Sequence, residues 1–479
     1  MKALDAIADV GRDRRTGGYR RFAWSDADLE LREWFAGEAA ARSMELTEDG
    51  NGNQVAWWQP ALSVGRGASA ASDRDPGVSI GDSSLAPAST TGAGGGSDPT
   101  VGRGASAASD RDPGVSIGDS SLAPASTTGA GGGSDPTVGR GASAASDRDP
   151  SALLLGSHLD SVPDGGAYDG PLGVVSAFAA VDRLRAEGFV PSRPIAVACF
   201  ADEEGARFGV ACAGSRLAAG TLAPDRALAL RDVDGDTLAD VLRSRGRDPY
   251  AVGRAGWLDR IGTFVELHVE QGRALVHSGD AVGVSSAIWP HGRWRLDLRG
   301  RADHAGTTPM GDRCDPMPVY ARTVLAATEA ATRRDARATF GKLRVHPGGA
   351  NAIPSAVAAW LDARAADDAT LERLVAEITD AAREAGDQAG IGIDVTAEST
   401  TPTVTFDPAL TDRLARLLDA PVLPTGAGHD AGVLSATIPT TMLFVRNPTG
   451  VSHSPDEHAE DADCDAGVAA LADVVRDLA

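Results

Sequence analysis

The sequence predicts an α/β protein: a mixed, mostly parallel sheet with helices on both faces, carrying an inserted α+β module of ferredoxin-like order. Three observations support this. An apolar run at 152–155, a helical run at 174–187 closed by Gly188, and a second apolar run at 195–200 make a strand, helix, strand unit of parallel type. Between about 284 and 397 the pattern changes to alternation and amphipathic helices. A histidine- and acid-rich string, VSHSPDEH at 451–458, then returns, so the second module reads as an insertion into the first. The expected division is 1–283 with 398–479 as one domain and 284–397 as the other. The chain of 479 residues, 42% hydrophobic, exceeds the roughly 100–200 residues of a usual single domain.

Taken in order, Ser25 followed by Asp28 reads as an N-cap with an acidic first turn, and Leu31, Trp34, Phe35 and Ala39 form the stripe of an N-terminal helix. A strand is expected at 54–58 and another at 152–155, with a helix and the third strand of the unit following. In the second module, Trp294, Leu296 and Leu298 alternate as in a half-buried strand. A helix at about 319–334, strands near 339–345 and 357–362, a helix with Leu371, Leu374, Val375 and Ile378 on one face, and a strand at 391–396 complete it. Strand, helix, two strands, helix, strand is the ferredoxin-like order.

Between the strands at 54–58 and 152–155 lies an internal repeat. The 37-residue unit beginning VGRGASAASDRDPG runs from Val64, recurs letter for letter from Val101, and its first 13 residues recur from Val138 to Pro150. Rich in Gly, Ser, Ala, Asp and Pro, and nearly without large apolar residues, it has too little apolar surface to offset the ordering entropy of a core. A disordered surface insertion at about 64–150 is therefore expected. A solenoid is disfavoured because no apolar ladder accompanies the period. Closure entropy grows only logarithmically with loop length, so a fold tolerates such an insertion.

The net charge of -22 disfavours nucleic acid and anionic membrane as partners, since both call for a basic surface, and favours a small-molecule enzyme. Only Lys2 and Lys342 are lysines; codon usage explains that preference for arginine without a functional role. Cys199, Cys212, Cys314 and Cys464 are widely spaced with no CxxC pair and are expected as reduced thiols. The first 24 residues contain no apolar core of a secretory leader, and nothing downstream approaches a membrane span, so a soluble cytoplasmic protein is expected.

Five strings carry the chemistry: GSHLDSVPDGGAYDG (156–170), ADEEGARFG (201–209), ELHVEQG (266–272), RADHAGTTPMGDR (301–313) and VSHSPDEH (451–458). In an extended backbone His158 and Asp160 share a face, so the carboxylate is placed to accept one imidazole N–H and leave the other nitrogen for metal. Asp169, eleven residues on in a Gly-rich turn, is placed to bridge two cations. Of the paired acids Glu203 and Glu204, one can bind metal while its neighbour takes a proton from water. His268 and His453 complete a set of three imidazoles and two carboxylates, which suits two divalent ions, zinc or manganese. His277, His291, His346 and His458 lack supporting context, and His429 in GAGHDAG either lines the pocket or forms a turn.

These strings, in this order over 1–60 and 151–479, resemble the dinuclear-metal amidohydrolases that include allantoate amidohydrolase and N-carbamoyl-L-amino-acid hydrolase, relatives of the aminoacylase and carboxypeptidase-type metallopeptidases. The resemblance implies that His158, Asp169 and His268 hold one metal and Asp169, Glu204 and His453 the other, with Glu203 as general base and Asp160 orienting His158. It further implies Gln271, His429, Asn351 and Arg364 as substrate contacts, the last two on a carboxylate, and His304 of the partner subunit of a homodimer polarising the carbonyl. In such enzymes the inserted module is a lid and dimerisation domain. AIWPHGRW, TTPMGDR and FVRNPTGVSHSP look most like bacterial allantoate amidohydrolases, which implies release of ammonia and carbon dioxide from allantoate in purine-nitrogen recovery. N-carbamoyl-L-amino-acid hydrolysis is the nearest alternative, a dipeptidase or deacylase a more distant one, and a non-catalytic scaffold the alternative from another class.

Overall fold

The structure, a computed structural model, describes residues 2–60 and 151–479. The repeats, and the expectation of a disordered insertion there, lie outside the described residues. The strands are β1 (Glu45–Glu48), β2 (Gln54–Trp58), β3 (Ala152–His158), β4 (Ile195–Phe200), β5 (Ile261–Val269), β6 (Val282–Ile288), β7 (His291–Arg299) and β8 (Asp303–His304). After them come β9 (Arg337–His346), β10 (Ala352–Ile353), β11 (Ala356–Arg364), β12 (Gly392–Thr401), β13 (Val404–Thr405), β14 (Val422–Thr425) and β15 (Thr440–Val445).

The large sheet has nine strands in the order β1-β2-β4-β3-β5-β15-β6-β13, with β14 beside β6. Its centre, β4-β3-β5-β15, is parallel, and antiparallel strands flank it on both sides. β3, β4 and β15 are buried at every residue, as strands covered on both faces must be. The apolar run at 152–155 continues as strand to His158 because the ladder to β4 pairs Gly156, Ser157 and His158 with Ala198, Cys199 and Phe200. The expected strands at 54–58 and 152–155 both form but are not neighbours: β4 lies between them, antiparallel to β2 and parallel to β3.

Ser25 caps the helix Asp26–Ala41, its side chain accepting from Asp28 N. Leu31, Phe35 and Ala39 are buried, and Phe35 meets Phe178 of the helix Pro171–Ala186 at 5.1 Å between ring centroids. That helix begins three residues before the periodic run at 174, since Pro171 stands in its first turn where a missing N–H costs nothing. With Asp461–Leu478 it covers one face of the large sheet.

A separate four-stranded sheet, wholly antiparallel, has the order β12-β7-β11-β9. Two helices, Pro316–Arg333 and Asp368–Ala389, cover it, and Trp294, Leu296, Leu298, Leu371, Leu374 and Ile378 share its core while Val375 is only partly buried. The change between sheets comes at 289–290, since β6 stays in the large sheet. All four cysteines are free, as expected. Among the described residues no helix is long and apolar enough to cross a membrane.

Candidate dinuclear metal site

Each of the four central parallel strands delivers a side chain at or beyond its C-terminal end, where open α/β sheets place ligands. His158 is the last residue of β3 and His268 the penultimate residue of β5, while Glu203 and Glu204 follow β4 and His453 follows β15. Asp169 sits on the turn after β3, one residue before Gly170 caps the helix Pro171–Ala186. Glycine is required there: its φ is +82°, and a Cβ would stand 2.4 Å from the His158 ring.

Two groups of potential ligand atoms result, His158, Asp169 and His268, and Asp169, Glu204 and His453, each with its atoms within 4.8 Å of one another. Asp169 belongs to both. Its Oδ1 lies 3.6 Å from His158 Nε2 and 3.0 Å from His268 Nε2. Its Oδ2 lies 3.5 Å from His453 Nε2, which is 3.6 Å from Glu204 Oε2. The paired acids point to different partners, Glu203 Oε2 facing His158 Nε2 at 3.7 Å while Glu204 faces His453. His268 Nδ1 faces Val269 O at 2.8 Å, which makes that nitrogen the donor and leaves Nε2 unprotonated, where it accepts from Gly170 N at 3.2 Å.

One detail departs from the expected arrangement. The Asp160 carbonyl oxygen is closer to His158 Nδ1, at 3.2 Å, than its carboxylate is, at 3.5 Å. The carboxylate instead accepts from the backbone N–H of Glu203 and Glu204, 3.1 Å each, so Asp160 orients the histidine with its main chain and the acidic turn with its side chain.

The electrostatics favour cations. Asp160, Asp169, Glu203, Glu204, Glu266, Asp430 and Glu457 lie in and around the cluster, and among the described residues none is paired with Arg or Lys. Burial pushes the Glu203 carboxyl well above its usual range, and burial followed by the charge of Asp169 brings Glu204 to about 8. Burial opposes ionisation of Asp169, but the His268 and His158 imidazoles outweigh it and hold its carboxyl well below the ordinary value. His158 Nε2 is buried with no hydrogen-bond partner, an orphan that a metal ion would satisfy. Nitrogen and oxygen donors around a shared carboxylate therefore fit two divalent cations.

The remaining site candidates fall into two groups. Gln271 and His429 belong to the cluster. Gln271 Nε2 donates to Asp169 Oδ2 at 2.8 Å, and His429, buried, packs edge-on against His268 with ring centroids 4.5 Å apart. Burial and the neighbouring His268 drive the His429 imidazole well below its ordinary range, so it is neutral. His304, Asn351 and Arg364 lie in the smaller module. His304 is exposed, and its Nδ1 accepts from Gly306 N and Thr307 N, which places the proton on Nε2. Asn351 lies beside it, since β8 pairs with β10 and Ala305 N donates to Asn351 O at 3.0 Å. Arg364 donates to Asp362 and, at 2.7 Å, to Gly426 O, bridging the small sheet to the loop that leads to His429. None of the hydrogen bonds or ion pairs described for these three residues reaches a ligand.

Several residues that sequence reasoning passed over support the cluster. Glu457 Oε1 accepts from the backbone N–H of Tyr168 and Asp169, and Ser452 Oγ donates to Asp169 Oδ2 at 3.0 Å. Cys212 Sγ donates to Glu203 Oε1 at 3.2 Å. Glu266 accepts from Ser157 Oγ and Ala431 N beneath the histidines. Glu266, Ser452 and Glu457 stand inside the strings already singled out, where only the histidines and Gln271 were read.

Fold and cluster together define a hydrolase of the kind that assembles metal-ligand groups at the strand ends of an α/β sheet. Residues 154–477 match the family described as Peptidase family M20/M25/M40, and the chain belongs to that family. It is 37% identical over 334 residues to N-carbamoyl-L-amino acid amidohydrolase of Geobacillus stearothermophilus, covering 68% of this chain and 81% of the relative. Allantoate amidohydrolase of Escherichia coli is 34% identical over 336 residues, with the same two coverages of 68% and 81%. A solved hydantoinase/carbamoylase family amidase from Burkholderia vietnamiensis shares the fold with a TM-score of 0.73 at 24% identity, over 100% of this chain and 96% of that one.

Proposed function

We propose that the chain is a metal-dependent amidohydrolase that cleaves a C–N bond of a linear ureido acid, with allantoate as the first substrate. The observation that carries this reading is the convergence of two ligand groups on the two oxygens of Asp169, with Glu203 alongside as a carboxylate outside both groups. Likeness to an allantoate amidohydrolase and to an N-carbamoyl-L-amino acid amidohydrolase supports the bond class.

Bound ions, zinc or manganese, supply Lewis acidity toward water and the scissile carbonyl. Glu203, whose buried carboxyl has a raised proton affinity and which lies outside both ligand groups, suits the transfer of a proton from the attacking water to the departing nitrogen. The Arg364 guanidinium, with Asn351, is suited to grip the substrate carboxylate as a fork, which requires it to leave Asp362 or Gly426 O. His304 of the partner subunit, a donor through Nε2, would polarise the carbonyl, so the reading includes a homodimer with the smaller module as lid. The enzyme is proposed to be cytoplasmic.

The test is ammonia release from allantoate by metal-loaded protein, set beside N-carbamoyl-L-amino acids. Turnover of allantoate is expected; turnover of N-carbamoyl-L-amino acids alone would transfer the assignment to that substrate, a second reading favoured by the 37% identity to the Geobacillus enzyme. Absence of hydrolysis of either would refute the reaction class.

A further inference from the structure

We propose that Glu457 is a positioning residue for the metal centre: its carboxylate, outside both ligand groups, grips the backbone of Asp169 and fixes how that shared aspartate faces the two ion positions. The inference rests on the dinuclear reading above and adds a residue to it.

Glu457 is 5% exposed, and its Oε1 accepts from two consecutive backbone N–H groups, those of Tyr168 and Asp169, at 2.9 Å each. Two donors on one oxygen hold the two successive peptides on either side of Tyr168, and the Asp169 side chain leaves the backbone directly after the second of them. On its own side of the contact, Glu457 N donates to Ser454 O at 3.1 Å, closing a turn that starts beside His453. One side chain thus ties the segment bearing His453 to the turn bearing Asp169, residues 288 apart in sequence in the case of Glu457 and Asp169. Gly166 makes room for the approach: a Cβ there would stand 2.3 Å from Glu457 Oε1 and 2.5 Å from its Cβ.

Asp169 presents Oδ1 to His158 and His268 and Oδ2 to His453, so a rotation of its backbone misplaces both oxygens together. A residue holding that backbone therefore acts on both ion positions, whereas loss of a ligand such as His268 acts on one. Glu203, carried by the turn after β4, is held by other partners, its N–H donating to Asp160 Oδ1 and its Oε1 accepting from Cys212 Sγ.

Metal-free wild-type protein, Glu457→Ala and Glu457→Gln are titrated with manganese(II) against a chelating indicator, and amide hydrogen exchange at residues 168 and 169 is followed in the same samples. Removing a residue that supports a ligand from behind commonly costs 10–100-fold in metal affinity, and that loss is expected for both equivalents in Glu457→Ala. Glu457→Gln, which keeps an acceptor oxygen, should remain within a few-fold of wild type. The 168 and 169 amides should be protected in wild type and Glu457→Gln and exposed in Glu457→Ala. Wild-type affinity in Glu457→Ala would overturn the proposal, and so would a loss in Glu457→Gln equal to that of the alanine variant. If Glu457→Ala does not fold, unprotected amides in metal-free wild type decide against the grip by themselves. Failure of the wild type to bind manganese or zinc would instead refute the dinuclear reading, with the amide protection still reporting the contact.

Discussion

The two parts of the candidate site differ in how far a single chain builds them. At the strand ends of the large sheet, His158, Asp169, Glu203 and His268 are buried and held by named partners. In the smaller module, His304 and Asn351 are exposed on a two-stranded ribbon and Arg364 is engaged by Asp362 and Gly426 O. Ligands for ions gain from being fixed before binding, since burial and hydrogen bonds remove the cost of ordering them. Groups that close over a substrate must move to admit it and are expected to lie at the exposed, rearrangeable end. The contrast teaches that the ligand group of His158, Asp169 and His268 is buried and preorganised within this chain, while His453 of the second group is half exposed and the substrate contacts proposed in the smaller module are mostly exposed.

The largest expected effect separates chemistry from scaffold. Glu203→Gln should retain fold and bound metal yet lose about 10²–10⁴-fold in kcat, because general-base assistance contributes that much and no ligand is removed. A wild-type rate in this variant would show that another group takes the proton. On the opposite side of the comparison, Arg364→Ala should raise KM by about 10–100-fold with metal content unchanged, the scale of one or two charge-assisted hydrogen bonds. If metal content fell instead, the two parts would not be separable as described.

A further test uses protons. Glu204 titrates near 4.5 when unfolded and is raised to about 8 in the folded, metal-free chain, so its protonated form favours folding. That contribution is complete below about pH 4.5 and lost as pH rises toward 8. Glu204→Gln carries no such loss: metal-free, it should match wild type in acid and exceed it in melting temperature near pH 8. Adding manganese should reverse the order, since an amide is a poorer ligand than a carboxylate. An identical pH dependence in both proteins would contradict the assigned burial. The smallest effect is expected from removing residues 64–137, two copies of the repeat, which should leave kcat/KM nearly unchanged. A collapse of activity would make the repeat part of the working enzyme.

How much of this was legible in the sequence follows the physics of each element. Apolar runs announced β4 and most of β3, and the cap at Ser25 and the stripe of Leu31, Phe35 and Ala39 announced the first long helix. Alternation in Trp294, Leu296 and Leu298 likewise announced β7. Neighbour relations were not legible: nothing local in the 54–58 run tells that it pairs with β4 instead of β3, because strand order is decided by the whole sheet. Within the site, histidines and paired acids stood out because few other residue types bind metal. Glu457 did not, although it lies four residues beyond His453, since a grip on a distant backbone leaves no mark in spacing. The role of Asp160 was half legible, for proximity to His158 follows from extended backbone, while the choice between carbonyl and carboxylate depends on where the Glu203 and Glu204 amides arrive.

The most direct test of the account is the metal content of purified chain after loading with manganese or zinc and gel filtration, measured for wild type and His453→Ala. Two equivalents per wild-type chain and about one for His453→Ala, which disturbs a single ligand group while leaving Asp169, His158 and His268 in place, are the results the shared-aspartate centre predicts. Wild-type protein that retains no divalent ion, or a variant that still holds two with undiminished affinity, would contradict it.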